Sequence, residues 1–262
     1  MIQDFLGAIA SSQSYRRFTD QRPTKTFLYV LFVSLLFTIG SSIVLRIRVG
    51  PIIDETFSWL ESSTPTLTFA GGKVSSSVDT PTRLTHPKIP DVAIVIDTLR
   101  LAPVQLQEMT DAKVVAYLTN NSLYVQERPG ELKSYDLSKA GTERPLIIDA
   151  KFFRDASALV KTVFYPIAVV IIFLFTAVWV AIAGVLYAVL GLIIGSLTHS
   201  SLTFGALYKI AVHAQTAALL FRIIVSCLPF LVPFSSVLTI LLTSVYVWLG
   251  VRAHAPAPAA NP

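Results

Sequence analysis

The side chains with the greatest chemical potential sit in an apolar stretch near the C-terminal end: Lys209, His213, Gln215, Thr216 and Arg222. At 100° per residue, Tyr208, Gln215, Arg222 and Ser226 share one helical face, and Lys209, His213 and Thr216 share a neighbouring one. Strongly polar groups are costly inside a bilayer, so such a seam points to handling of an ion, a proton or a lipid headgroup. The same pattern also fits a structural role: Lys209 at an interface, Arg222 snorkelling outward, His213 and Gln215 bonding helix to helix. The seam contains no acid, which makes it a poor proton path.

Elsewhere the chemistry is sparse. Asp97 ends the apolar run 92–96 and is followed by Thr98, a placement that offers a carboxylate to a ligand or satisfies turn backbone. His86 has no cysteine or second histidine nearby, which argues against zinc. Asn120-Asn121-Ser122 matches a glycosylation acceptor but reads as a turn, and Ser75-Ser76-Ser77 has no base beside it. Walker, GxGxxG, HExxH, GxSxG and paired-cysteine patterns are all missing, so no enzymatic activity, cofactor or metal is expected.

The elements that must position these residues follow from composition. The chain is 53% hydrophobic and only 14% charged, against about 25% charged in soluble domains. Residues 54–161 hold fourteen of the sixteen acids and twelve of the twenty-one bases, which marks a water-facing, nearly neutral domain. The net charge of +5 comes from the flanks, chiefly Arg16, Arg17, Arg22 and Lys25, then Arg46 and Arg48. That is a membrane-flanking distribution; nucleic acid is not an expected partner. Cys227 is the only cysteine, so the domain folds without disulfides.

Residues 27–45 form a charge-free run long enough for a helix to cross a hydrocarbon core of about 30 Å. The run exceeds a signal-peptide core and ends in arginines, so it reads as an uncleaved anchor. The basic cluster before it puts the N-terminus in the cytoplasm, although Arg46 and Arg48 then lie outside. Phe5, Leu6, Ile9, Tyr15 and Phe18 suggest a short interfacial helix; a frayed terminus is the alternative.

The domain reads mostly as strands. Segments 66–70 and 73–78 flank Gly71-Gly72, and 113–119 and 122–127 flank Asn120-Asn121, as two hairpins. The run 92–96 reads as a central strand covered on both faces and 146–148 as another strand, with Asp149 capping a helix into the membrane.

Residues 163–197 carry no ionisable side chain except tyrosines, and a helix of that length measures about 52 Å, too long for one core and barely enough for two. Ala177, Ala181, Gly184, Ala188, Gly191 and Gly195 lie on one helical face that a hairpin at Gly184 would break, so one long helix is expected. A row of small residues lets another helix approach closely. Spans at 207–228 and 235–250 follow, separated by Pro229 and Pro233. The fold expected is an α-helical membrane bundle of about four spans with an extracytoplasmic β-rich (α+β) domain inserted between spans one and two. Its divisions are a cytoplasmic basic N-terminus at 1–25, an anchor at 26–48, the inserted domain at 49–162, a three-helix bundle at 163–252 and a disordered Ala/Pro tail at 253–262.

The segment 11–18 (SSQSYRRF), the anchor opening Lys25-Thr26-Phe27-Leu28-Tyr29-Val30, the strand end Ile94-Val95-Ile96-Asp97-Thr98 and Ser201-Leu202-Thr203-Phe204 before span three resemble a bacterial integral-membrane family. That family is catalogued as a domain of unknown function; some members carry the name maltodextrin-utilisation membrane protein. The similarity runs along nearly the whole chain, and the last three spans are faintly similar to Yip-type multispan proteins. The resemblance implies a multi-pass protein of the bacterial cytoplasmic membrane with both termini inside, and it carries over no catalytic residues. Where family members often have a Tyr-Ala-Leu-Thr-Pro-like stretch, this chain has Val212-His213-Ala214-Gln215-Thr216-Ala217, so the resemblance does not extend to a kink there.

Two functions follow as expectations. One is a non-enzymatic accessory or sensory protein that binds a ligand or envelope partner through the inserted domain. Its helices would dock another membrane protein or a second copy. The other is a transporter or channel component that uses span three.

Overall fold

The computed structural model describes residues 1–128, 130–139 and 145–254. The order is α1 (Ile2–Ala10), α2 (Ser14–Thr19), α3 (Pro23–Ser63), β1 (Leu67–Ala70), β2 (Lys73–Ser76), β3 (Thr82–His86), β4 (Ile89–Ile96), α4 (Leu106–Asp111), β5 (Val114–Leu118), β6 (Ser122–Arg128), β7 (Glu131–Asp136), β8 (Leu146–Ile148), α5 (Ala150–Leu197), α6 (Phe204–Cys227) and α7 (Ser235–Arg252). The chain packs as two units, one of residues 1–48 with 163–262 and one of residues 49–162. The Ala/Pro tail beyond residue 254 lies outside the described residues.

Four helices, α3, α5, α6 and α7, are long and apolar enough to cross a membrane. This makes the chain a multi-pass membrane protein in contact with lipid, with a β-rich insert between its first and second spans. Local signals explain where the helices start. Pro23 opens α3, where its missing N–H costs nothing. The Asp149 carboxylate accepts the Phe152 N–H at 2.8 Å before α5, and the Thr203 hydroxyl accepts the Ala206 N–H at 3.3 Å before α6. The expected single helix through 163–197 is observed, and it continues back to Ala150. Helix α3 likewise runs beyond the charge-free stretch, through Pro51, to Ser63.

Within the bundle α6 is the hub. More than half of its most apolar window is buried (56%), against 22–28% for the other three spans. Ala8, Tyr15 and Phe18 from α1 and α2 pack with Leu207, Ile210, Ala211 and Ala214 of α6 and Val247 and Val251 of α7. Tyr29, Val30 and Val33 of α3 pack with Val180, Val212 and Leu219. The N-terminal segment is therefore helical and not frayed, with Tyr15 and Phe18 buried against α6 and α7 and Phe5 partly buried beside α3.

The insert contains two sheets. The smaller, in the order β2-β1-β8, is antiparallel; Gly71 and Gly72 turn its hairpin with φ of 57° and 75°. A Cβ on Gly72 would come within 2.6 Å of the Ser138 carbonyl oxygen, so both conformation and space require glycine there. The larger sheet has the order β3-β4-β5-β6-β7 and is antiparallel except for the β4–β5 pair, which α4 connects. Strand β4 is thus interior but not central; β5 holds the middle. Between the two sheets lie Leu67, Val74, Leu84, Ile96 and Leu118. On the other face Ala93, Val114 and Tyr117 meet Met109 of α4 and Val104. Both faces of β4 are covered, as its apolar run demands.

Candidate functional site

The polar residues of α6 separate into three settings. Lys209, His213 and Thr216 face the N-terminal helices and α3. The Lys209 ammonium donates to the Thr19 carbonyl at 2.7 Å, and the Tyr29 and Thr216 hydroxyls share a buried bond of 2.7 Å. His213 is fully buried, its ring stacked between Phe18, at 3.9 Å between centroids, and Tyr29, at 4.0 Å. Its Nδ1 lies 2.7 Å from the Lys209 carbonyl oxygen, which can only accept, so Nδ1 carries the proton. Nε2 then presents a buried lone pair with no partner among the described residues.

Gln215 faces α5 and donates to the Val180 carbonyl at 3.0 Å, an interhelical bond of about 0.6–2 kcal/mol in lipid. Arg222 faces a cleft of about 540 Å³ between α5, α6 and α7.

The small-residue row also divides. Gly184 admits Tyr208 and Val212, Gly191 admits Leu207, and Ala188 is buried in the same core with α6. Ala177 and Ala181 instead line a groove with Thr26, Phe27 and Val30 of α3 and Tyr208 of α6. Gly195 approaches the Ser200 carbonyl in the turn after α5. Its middle section is thus the seat of a sister span.

A feature not anticipated from sequence surrounds Asp4. This buried carboxylate receives Arg17 at 3.0 Å and Lys25 at 3.0 Å, with Gln21 at 3.4 Å. Burial alone would raise its pKa, but Lys25, the N-terminal ammonium and Arg17 together hold it below the usual carboxylate range. Arg16 donates to the Ala253 carbonyl and Tyr246 to that of Ile9, so α1 and α2 also fasten the end of α7. The signal was present: Asp4 is one of only two acids, with Asp20, in the basic segment that precedes the anchor.

In the insert, Asp97 and Thr98 lie at the C-terminal end of β4. Thr98 is buried, and Asp97 accepts the Tyr117 hydroxyl at 3.2 Å while its N–H pairs with Leu118. Arg100 lies over the Tyr117 ring at 5.2 Å and forms a two-pronged ion pair with Glu108 of α4. Hydrogen bonding to Arg100 holds the Glu108 carboxyl below its usual range and raises the guanidinium in turn. The group braces a loop whose Leu99 and Leu101 are 63% and 89% exposed. Neither Arg100 nor the two leucines belongs to a sequence motif that would have singled it out.

No curated protein and no solved structure matches the chain. The family model described as protein of unknown function (DUF1189) matches residues 2–251. With four apolar spans and a β-rich insert on nearly its full length, the chain belongs to that family of unknown function.

Proposed function

We propose that the protein is a non-enzymatic accessory or sensory component of the bacterial cytoplasmic membrane, with both termini in the cytoplasm and the insert outside. The insert recognises a ligand or envelope partner, and the helices dock another membrane protein or a second copy. One observation supports this choice over conduction: Lys209, Gln215 and Thr216 each bond to a neighbouring helix or turn, and the His213 ring is packed between Phe18 and Tyr29, so these residues hold α6 to its neighbours. A permeation path needs polar groups free to exchange partners, whereas these secure a scaffold. The braced, apolar Leu99–Leu101 loop supports recognition by the insert, because a preorganised loop loses little entropy on binding. A transport component is the second reading, favoured by the Arg222 cleft.

The two readings separate in one pair of experiments. Co-purification of a partner in mild detergent is expected to survive Gln215→Ala and to fall at least about tenfold, roughly 1.4 kcal/mol, in a Leu99→Asp, Leu101→Asp variant. Proteoliposome flux abolished by Arg222→Gln or Gln215→Ala, with no partner retained, would instead establish transport.

A further inference from the structure

Arg222 differs from Lys209, the other cation of α6, whose ammonium donates to the Thr19 carbonyl. Its guanidinium has neither a hydrogen bond nor an ion pair among the described residues, yet it belongs to a membrane-spanning helix. The bundle offers no countercharge: the only acids in residues 1–48 and 163–262 are Asp4 and Asp20. Asp4 is held by Arg17 and Lys25, near the opposite end of the bundle from Arg222. At Arg222's end α3 carries, before Asp54, only the cations Arg46 and Arg48, the latter donating to the Leu228 carbonyl just past α6. A cation in a span is costly unless it snorkels to the interface or meets an anion. With no acid of the bundle placed to pair with it, an anion from outside the chain would satisfy Arg222 in its cleft.

The cleft defines that anion. Phe175 and Trp179 of α5, stacked at 6.4 Å, form an apolar wall. On the facing helix the Ser235 and Ser236 hydroxyls line the same space at the start of α7. Arg222 lies five residues before Cys227, about 7 Å along the axis from the helix end, the depth a headgroup phosphate reaches by modest sinking. A guanidinium fork suits two phosphate oxygens, and the hydroxyls add donors beside it. A free phosphate would satisfy Arg222 but leave the aromatic wall without a partner. We infer that this cleft binds an anionic glycerophospholipid, with its phosphodiester on Arg222, Ser235 and Ser236 and an acyl chain along Phe175 and Trp179. The site is independent of what the insert recognises.

Native mass spectrometry of the full-length protein in mild detergent tests this, with phosphatidylglycerol, phosphatidylcholine and inorganic phosphate offered separately. Phosphatidylglycerol adducts are expected to exceed phosphatidylcholine adducts at least about tenfold, roughly 1.4 kcal/mol. Arg222→Gln should bring the two lipids level, Arg222→Lys should restore part of the difference, and Arg252→Gln should leave it unchanged. Should Arg222→Gln fail to fold, the Ser235→Ala, Ser236→Ala variant is expected to weaken phosphatidylglycerol retention severalfold. Equal retention in wild type and in the folded variants overturns the site. Arg222-dependent binding of inorganic phosphate without any lipid preference overturns its assignment to a lipid.

Discussion

Gly184→Leu is expected to lower the thermal stability of the bundle by several degrees in mild detergent, while Val185→Leu leaves it unchanged. Lipid tails solvate apolar side chains as well as protein does, so helices in a bilayer gain from close contact more than from hydrophobicity. At Gly184 even a Cβ would stand 2.9 Å from the Tyr208 ring and 3.1 Å from Val212. A leucine must push α5 away from α6, and overpacking of this kind costs about 1–3 kcal/mol. It would also displace the neighbourhood of Gln215 and Val180, whose hydrogen bond sits one turn away. Val185 is 45% exposed on the lipid side and has room for another methylene. Gly191→Leu should behave like Gly184→Leu, since Leu207 lies 3.1 Å from its Cβ position. Insertion itself should be unaffected, because leucine raises the apolarity of the span. Equal melting temperatures for all three variants would show that the α5–α6 contact does not hold the bundle.

Ile96→Asp is expected to unfold the insert while the helices remain in the membrane. Ile96 is 4% exposed and meets Leu67, Val74, Leu84 and Leu118 between the two sheets, so an aspartate there has no water and no cation. Burying an unpaired carboxylate costs several kcal/mol, comparable to the whole stability of a small domain. Limited proteolysis of the full-length protein should then cut within 49–162 at least about tenfold faster than in wild type. Val95 lies on the opposite, α4-covered face and is only partly buried, so Val95→Thr should change little. Wild-type resistance in the aspartate variant would remove β4 from the inter-sheet core.

What the sequence disclosed, and what it withheld, follows the range of the forces involved. The spans were legible because a bilayer demands long apolar runs, and α5 was legible as one helix because its small residues stay in phase past Gly184. The two hairpins announced themselves through Gly71-Gly72 and Asn120-Asn121, and the start of α5 through Asp149. Strands β3 and β7 were missed since Thr-Arg-Leu-Thr-His and Glu-Leu-Lys-Ser-Tyr-Asp each contain little apolar surface, as edge positions allow. Helix α4 has only six residues, too few to show a period. For that reason the parallel β4–β5 pair, and the position of β4 beside an edge strand, could not be foreseen.

The candidate site was legible in its members but not in its partners. Helical spacing set Tyr208, Gln215 and Arg222 on one face and Lys209, His213 and Thr216 on another; in the structure Gln215 and Arg222 line one cleft, while Tyr208 lines a groove with Lys209. Nothing local told that Phe18 and Tyr29 would enclose the His213 ring, because those contacts join residues nearly two hundred positions apart. The Arg100 brace was hidden for a similar reason: Glu108 and Tyr117 reach it only once α4 and β5 have folded back.

The proposed function requires four spans with the insert on one side of the membrane and both termini on the other. Fusions of a reporter active only outside the cytoplasm and of one active only inside it, joined at Gly130 or after Arg252, test it directly. The outside reporter should be active at Gly130 and silent after Arg252, with the inside reporter showing the reverse. Activity of one and the same reporter at both junctions would contradict the account, since it would place the insert and the C-terminus on the same side.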